Sequence, residues 1–396
     1  MKKGRIFISM VAFLLLPAFA SGAEAPGVTD KEVWIGLTGP LSGPAALWGT
    51  TPLAAKAWAD HLNSIGDIHG RKIKVILKDD AYTPPRALAN LHEMKGKVIA
   101  VVAPVGSAVQ GAIKDFFFEN KFPVIYPKGN PRIYEALPKE KLRYVFNTFT
   151  DYEDEAEFLT TYAINNLGTK KISVFYQNDE YGKGGLRGGE SAIKKSSGKA
   201  ELAATVPYEL AERALGHHAL KLKESGADTI IIYATPTHAA LIAKEIAKVG
   251  YKPKILSSFT TGDPVMFKLA GEAWEGVYVG GAGHSGIPGV DPEADKVTEI
   301  VKKIEPKTAD NPLMAVEGAT SMEAAAEGLR NAGRELTVEK LIEGMEKIKG
   351  WKPMGLGAPV TFGPGVRHGV NASRILQVRG GKYVQIAPFT NFKPRF

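Results

Sequence analysis

Short runs of β-branched and apolar residues alternate along the chain with stretches in which apolar positions recur every three or four residues. Val33-Trp34-Ile35-Gly36-Leu37 reads as a strand and Leu53 to Leu62 as an amphipathic helix. Ile73 to Leu77 is the next strand, followed by a helix from about Pro84 to Met94. Val98 to Val102 is apolar on both faces, the pattern of a parallel strand covered by helices on both sides. Ser107 to Asn120 is helical, and Pro123-Val124-Ile125-Tyr126 returns to the sheet. Such βαβ repetition predicts an α/β fold with a doubly wound parallel sheet.

The plan then restarts. Glu153 to Asn166 reads as helix, Lys171 to Tyr176 and Thr229 to Tyr233 as strands, Thr237 to Val249 as helix and Lys254 to Leu256 as strand. No motif repeats at a period of 20 to 50 residues, so architecture is duplicated without a sequence repeat. Helices follow near 293–304, 312–332 and 337–347, and Ile375 to Val378 with Tyr383 to Ile386 forms a hairpin across Gly380-Gly381.

Open parallel sheets place their pockets outside the carboxyl ends of the strands, in loops that lead into helix N-termini. Four loops qualify: Gly39 to Gly49, Ala103 to Ser107, Pro127 to Asn130 and Gln177 to Gly185. Ser107, at the start of its helix, can cap that helix or bind a carboxylate beside free backbone N–H groups.

The N-terminus changes the picture of where the chain works. Lys2, Lys3 and Arg5 precede an apolar run from Ile6 to Ala20 and the small residues Ser21-Gly22-Ala23, the order of a secretory signal over residues 1–23. Cleavage fits either before Ser21 or before Glu24. The apolar run of about 15 residues is short for a bilayer that needs roughly 20. The remaining chain of some 370 residues suits two domains rather than one core.

There is no cysteine among the 396 residues, which excludes disulfides, a lipid-modified N-terminal cysteine, thiol catalysis and Cys-based metal centres. The formal charge is +8, and losing Lys2, Lys3 and Arg5 with the leader leaves +5. Basic residues are interspersed with acidic ones, as in Lys302-Lys303-Ile304-Glu305, so nucleic-acid binding is not indicated.

Signs of catalysis are equally sparse. The glycine-rich run Gly182 to Gly189 lacks the Gly-four-Gly-Lys-Ser/Thr spacing of a phosphate loop, and no Gly-X-Ser-X-Gly elbow occurs. His217 and His218 are adjacent on a helix and should point apart, which argues for a solvated face and against a metal site. No enzyme activity, cofactor or metal is therefore expected.

With these elements in place, a family resemblance emerges. Ile35-Gly36-Leu37-Thr38-Gly39-Pro40-Leu41-Ser42-Gly43 with Trp48-Gly49 resembles the opening of the periplasmic leucine/isoleucine/valine-binding protein family of ABC transporters. So do Gly70 to Val75 with Lys78-Asp79-Asp80-Ala81, Asn178-Asp179-Glu180-Tyr181-Gly182-Lys183-Gly184, Gly226 to Ile230 and Leu269-Ala270-Gly271. Their order and spacing over residues 33 to about 280 carry the likeness, while the last hundred residues match only in outline.

The resemblance implies a type I periplasmic binding fold: two doubly wound lobes joined by three crossover strands, closing on a ligand by a hinge. Mapped here, lobe one would hold residues 27–147 with 281–353, and lobe two 148–280 with 354–396. It implies the substrate-binding component of an ABC importer, free in the periplasm, acting as a monomer with permease subunits as partners. The same fold also serves ligand sensors that signal to a membrane partner.

Carried over residue by residue, Ser107 and Asn130 occupy the positions that hold a ligand carboxylate, Asn130 departing from the family's hydroxyl residue. Trp48 and Tyr181 sit where aromatic rings cover the ligand from opposite lobes, and Thr235 lies in a second-lobe loop that reaches it. Phe259 holds the position of the acid that pairs with an amino acid's ammonium. An unpaired buried ammonium costs several kcal/mol, so either Asp263, Glu180 or another acid has moved in, or the ligand has no ammonium. The second alternative fits an aromatic or apolar carboxylate against Phe259, Trp48 and Tyr181. The family's lobe-one disulfide is also absent, its two positions holding Tyr82 and Gly106.

Overall fold

The computed structural model describes residues 25–396, so the leader expected over residues 1–23 lies outside the described residues. The first sheet is built from β1 (Glu32–Gly39), β2 (Lys72–Asp79), β3 (Ala100–Val102), β4 (Val124–Ile125) and β5 (Val145–Phe146). Between them run α1 (Thr50–Ile65), α2 (Pro84–Met94), α3 (Ser107–Glu119) and the single turn α4 (Arg132–Glu135). All five strands are parallel in the order β2-β1-β3-β4-β5.

The second sheet repeats this winding. It contains α5 (Tyr152–Asn166), β6 (Lys171–Gln177), α6 (Glu180–Lys195), β7 (Glu201–Tyr208), α7 (Gly216–Glu224), β8 (Thr229–Tyr233), α8 (Pro236–Lys248), β9 (Lys254–Ser257), α9 (Val265–Ala270) and β10 (Tyr278–Ala282). Its parallel part runs β7-β6-β8-β9-β10, the same order as in the first sheet. The helices α10 (Pro292–Ile304), α11 (Pro312–Ala332) and α12 (Val338–Glu346) return to the first lobe, where α11 packs along α1. Finally β11 (Ala372–Val378) and β12 (Tyr383–Asn391) extend the second sheet antiparallel to β10 and to each other. The two-lobed α/β architecture expected from the hydrophobic pattern is thus observed.

The chain passes between the lobes three times, and the three passages lie side by side. Asn147 bridges His368, the Gly283 amide donates to Ala372 O at 2.8 Å, and the Asp151 amide donates to Asn371 Oδ1 at 3.0 Å. The return to the second lobe comes later than the expected residue 354. Val360, Phe362 and Val370 are buried in the first-lobe core, with the Phe362 ring 5.3 Å from Phe146 and 6.2 Å from Tyr126. That apolar patch beside β5 needs covering, and residues 354–370 cover it.

Tyr82 and Gly106, at the positions where the resemblance implies a disulfide, are in contact. A Cβ on Gly106 would stand 2.3 Å from Tyr82 Cε2, so the ring lies directly against the glycine backbone, which holds φ at +108°.

The glycine run expected to form a loop through Gly185 lies inside α6 instead. Asp179 caps the helix, accepting from the Tyr181 and Gly182 amides at 3.0 and 3.2 Å. Three of its glycines let the helix approach its neighbours: a Cβ would meet Gln177 O at 2.1 Å from Gly182, the Tyr233 ring at 2.1 Å from Gly185, and Glu153 O at 2.2 Å from Gly188. Gly189 is different, with no neighbour nearer than 3.7 Å. Urea unfolding should therefore separate two adjacent substitutions. Gly188→Ala should lower stability by about 1–3 kcal/mol through overpacking, whereas Gly189→Ala should raise it by about 0.5–1 kcal/mol through helix propensity.

Candidate functional site

In a sheet wound 2-1-3-4-5, the crevice opens between the first and third strands, where successive connections leave on opposite faces. Here the loops after β1 and β3 face the loops after β6 and β8 across the gap between lobes. The aspartates of the Lys78-Asp79-Asp80 motif fix the first of these loops. Asp79 accepts from the Leu41 amide (2.9 Å), Ser42 Oγ (2.6 Å) and the Ala81 amide (2.8 Å), and Asp80 accepts from Thr38 Oγ1 and the Tyr82 amide, both at 2.9 Å. The loop so held delivers Trp48 to the crevice.

The result is a narrow cavity between the lobes. Trp48, Ser107, Tyr181 and Phe259 line it, together with Tyr82, Phe149 and Tyr152. Six of these are aromatic and form one continuous wall. Trp48 meets Tyr82 at 5.6 Å and Tyr181 at 5.9 Å, Tyr181 meets Tyr152 at 4.7 Å, and Tyr152 stacks on Phe259 at 5.7 Å with 16° between planes. The Tyr181 hydroxyl is engaged by Thr260 Oγ1 (2.6 Å), itself part of the cavity wall, and by Ala234 O (3.2 Å).

Ser107 opens α3. Its Oγ accepts the Asn130 amide at 3.0 Å, which leaves its own O–H free to donate. Asn130 itself is not part of the cavity wall. Its Nδ2 donates to Glu180 Oε1 at 3.3 Å and its Oδ1 accepts the Arg132 amide at 3.2 Å, so the side chain ties the lobes together behind the site. Thr235 also stands back. It caps α8, its Oγ1 lying 2.6 Å from His238 Nδ1, and its amide donates to the Tyr208 hydroxyl at 3.0 Å.

The acids that could replace the one missing at Phe259 are already engaged. Asp263 reaches from the second lobe to the first: Oδ2 accepts the Leu313 amide at 2.9 Å and the Met314 amide at 3.4 Å, capping α11, while Oδ1 accepts the Val265 amide. Burial pushes its carboxyl up to about 7, against these bonds. Glu180 pairs with Arg187 and Asn130. Glu155, which the sequence pattern did not single out, lies directly behind Phe259, accepting its amide at 2.8 Å and the Tyr233 hydroxyl at 2.9 Å. Burial pushes this carboxyl up to about 8, and only the absence of a Cβ at Gly280 makes room for it.

Charge does reach the cavity, from residues not foreseen. Lys128, inside the expected Pro127 to Asn130 loop, and Glu317 on α11 both line the cavity wall, 5 % and 3 % exposed. Lys128 Nζ lies 2.7 Å from Glu317 Oε2, and His284 Nε2, from the second passage between lobes, lies 2.9 Å from the same oxygen. Burial would raise the Glu317 carboxyl, but His284 and Lys128 hold it far below the usual carboxylate range, at about 2. Burial pushes both the Lys128 ammonium and the His284 ring down, the pull of Glu317 notwithstanding.

His217 and His218 do not point apart. Their ring centroids are 3.9 Å apart because both stand in the first turn of α7, where side chains lean back toward the helix start. With Glu212 they form a group of possible metal-binding atoms within 4.8 Å of one another, although His218 Nε2 already lies 3.0 Å from Pro207 O. No helix among the described residues is long and apolar enough to cross a membrane.

Comparison with known proteins places this geometry in context. A sequence model of the periplasmic binding protein family matches residues 32–382. The Leu/Ile/Val-binding protein homolog 3 of Brucella melitensis is 27% identical over 252 residues, 63% of this chain and 65% of that protein, so the match stops short of two thirds of the relative's length. The leucine-, isoleucine-, valine-, threonine- and alanine-binding protein of Pseudomonas aeruginosa is 21% identical across 87% of this chain and 89% of its own. Among solved structures, a branched chain amino acid ABC transporter protein from Thermus thermophilus with bound valine superposes with a TM-score of 0.82 at 18% identity, over 93% of this chain and 98% of that one. A fatty acid ABC transporter substrate-binding protein from Thermomonospora curvata gives 0.81 at 23% identity, over 94% and 95%.

The Glu317 carboxyl makes an acid-side prediction. Its folded value lies below the ordinary 4.5, so its contribution to stability is fully present above about pH 4.5 and is lost as pH falls from there toward 2. Stability measured by urea unfolding across that window should fall less steeply in Glu317→Gln than in the wild type.

Proposed function

The chain belongs to the periplasmic binding protein family, whose members hold substrates without turning them over, and from that premise we propose that it captures a small apolar or aromatic carboxylate for an ABC importer. In this reading the leader at residues 1–23 sends it to the periplasm, where it works as a monomer that docks on permease subunits when its lobes close on the ligand. Trp48 and Tyr181 cover the ligand from opposite lobes, Phe259 packs under it, and the Ser107 hydroxyl with the first amides of α3 receives its carboxylate. Asn130 and Thr235 support the site from behind.

The observation that carries the choice of ligand is the composition of the wall. Six aromatic rings surround the cavity, while the acid that would meet an ammonium is absent at Phe259. Glu155, Asp263 and Glu180 each have other partners. Glu317 does face the cavity, but Lys128 Nζ already lies 2.7 Å from its Oε2, so a ligand ammonium placed on this carboxylate would meet a like charge in a buried site. A carboxylate without an amino group avoids that cost. An apolar body against aromatic faces with one polar anchor is also the usual make-up of a small-ligand pocket.

Isothermal titration should show aromatic or branched aliphatic acids binding at least about tenfold tighter than the α-amino acids of the same skeleton. Tight binding of leucine or valine with no response to the acids would refute the ligand class. Trp48→Ala should weaken binding of the preferred acid by about tenfold to a hundredfold, while urea unfolding stays cooperative at a lowered midpoint because a buried ring is lost. Phe259→Glu should reverse the order of preference by restoring a partner for an ammonium.

A further inference from the structure

Buried polar atoms in folded proteins are almost all hydrogen-bonded, so a group of unpaired ones at one place marks something that completes them. Three of the buried, unpartnered atoms among the described residues belong to one network: Lys128 Nζ, Glu317 Oε1 and His284 Nδ1. Lys128 Nζ is close enough to Glu317 Oε2 for an ion pair, but its N–H groups have no aligned acceptor. It lies 5.8 Å from the centroids of the Tyr126 and Phe149 rings, so aromatic faces enclose it without supplying an oxygen. Lys128 and Glu317 both border the cavity. An unused donor and an unused acceptor therefore lie side by side in its wall, both shielded from solvent.

The charge pattern limits what can sit there. A second carboxylate on Lys128 would crowd the Glu317 carboxylate, and a cation on Glu317 would crowd Lys128. The pair cancels its own charge, and His284, with its affinity for a proton reduced by burial, adds none at neutral pH. An uncharged group that both accepts and donates suits both free atoms at once: its oxygen accepts from Lys128 and its proton goes to Glu317 Oε1.

We propose that Lys128 and Glu317, backed by His284, form a second polar subsite that reads a hydroxyl group on the ligand's apolar body, away from the carboxylate held at Ser107. This rests on the carboxylate reading above. The subsite turns a general pocket for aromatic acids into one selective for a hydroxylated acid. Selectivity is the expected consequence of such an arrangement, since a ligand lacking the hydroxyl leaves two buried polar atoms unpaired.

The test is isothermal titration of the full exported protein with phenylacetate, 3-phenylpropanoate and the ortho, meta and para hydroxyphenyl forms of each. At least one hydroxylated isomer should bind about tenfold tighter than its parent, the worth of one well-made pair of hydrogen bonds. The double variant Lys128→Met/Glu317→Gln replaces the ion pair by neutral side chains of similar length and so keeps the wall filled. In it the ratio of affinities, hydroxylated isomer over its own parent acid, should fall to about twofold or less, whatever the affinity for the parent acid becomes. Glu317→Gln alone, which keeps an acceptor, should retain part of the advantage. If the parent acids bind and no hydroxylated isomer gains, the subsite is overturned and the carboxylate reading stands. An advantage that survives the double variant unchanged overturns it as well. If neither series binds, the carboxylate reading falls and the subsite falls with it.

Discussion

A parallel sheet that winds outward in both directions from its first strand must leave a crevice beside that strand, because consecutive connections there leave on opposite faces. This chain uses that constraint twice, with the order 2-1-3-4-5 in each lobe, and sets the two crevices face to face. Part of the cleft wall follows from it. Trp48 comes from the loop after β1 and Ser107 from the start of α3 beside the first crevice, Tyr181 from the first turn of α6 beside the second, and Phe259 from the turn that follows β9, one strand further along. The three passages of the chain, hydrogen-bonded to one another at Asn147, Gly283 and His368 to Ala372, leave the lobes one shared axis about which to move.

Closure is held by polar contacts made between lobes rather than within them. Asp263 caps a helix that belongs to the other lobe, Tyr82 donates to Asp179 at 3.3 Å, and Asn130 reaches Glu180. Each joins groups that water can satisfy when the lobes part. The apolar contribution is concentrated in the aromatic wall, where a ligand adds area to both sides at once. Such a division suits a carrier that has to hold its cargo and also release it.

The sheets and most helices were legible in the hydrophobic pattern because their faces are strongly one-sided: the helix expected at 84–94 and the strand at 229–233 occur with those bounds. Of the cavity's aromatic members, Trp48, Tyr181 and Phe259 were named through the family resemblance, whereas Phe149 and Tyr152 follow the first passage between lobes and carried no motif, and Tyr82 was marked only as a disulfide position. What the pattern hid has definite causes. Asn130 and Thr235 sit in the right loops, but a side chain's direction depends on partners far away in sequence, Glu180 and Tyr208. Lys128 and Glu317 are 189 residues apart and meet only through the packing of α11 beneath β4, so neither position announced the other. Glycines 182 to 189 resemble a flexible loop by composition, yet they serve the close approach of α6 to its neighbours, a requirement visible only in three dimensions.

The Tyr82 ring pressed on Gly106 stands where the resemblance implies a covalent bridge. A disulfide narrows the unfolded ensemble and is indifferent to whether the lobes are apart or together. The tyrosine does neither: its ring acts only in the folded chain, and its hydroxyl ends on an aspartate of the opposite lobe. The element that fastens the first lobe internally is therefore also one of its points of touch with the second, and it needs no oxidant to form. Its packing on Gly106 is the same in reducing and oxidising surroundings.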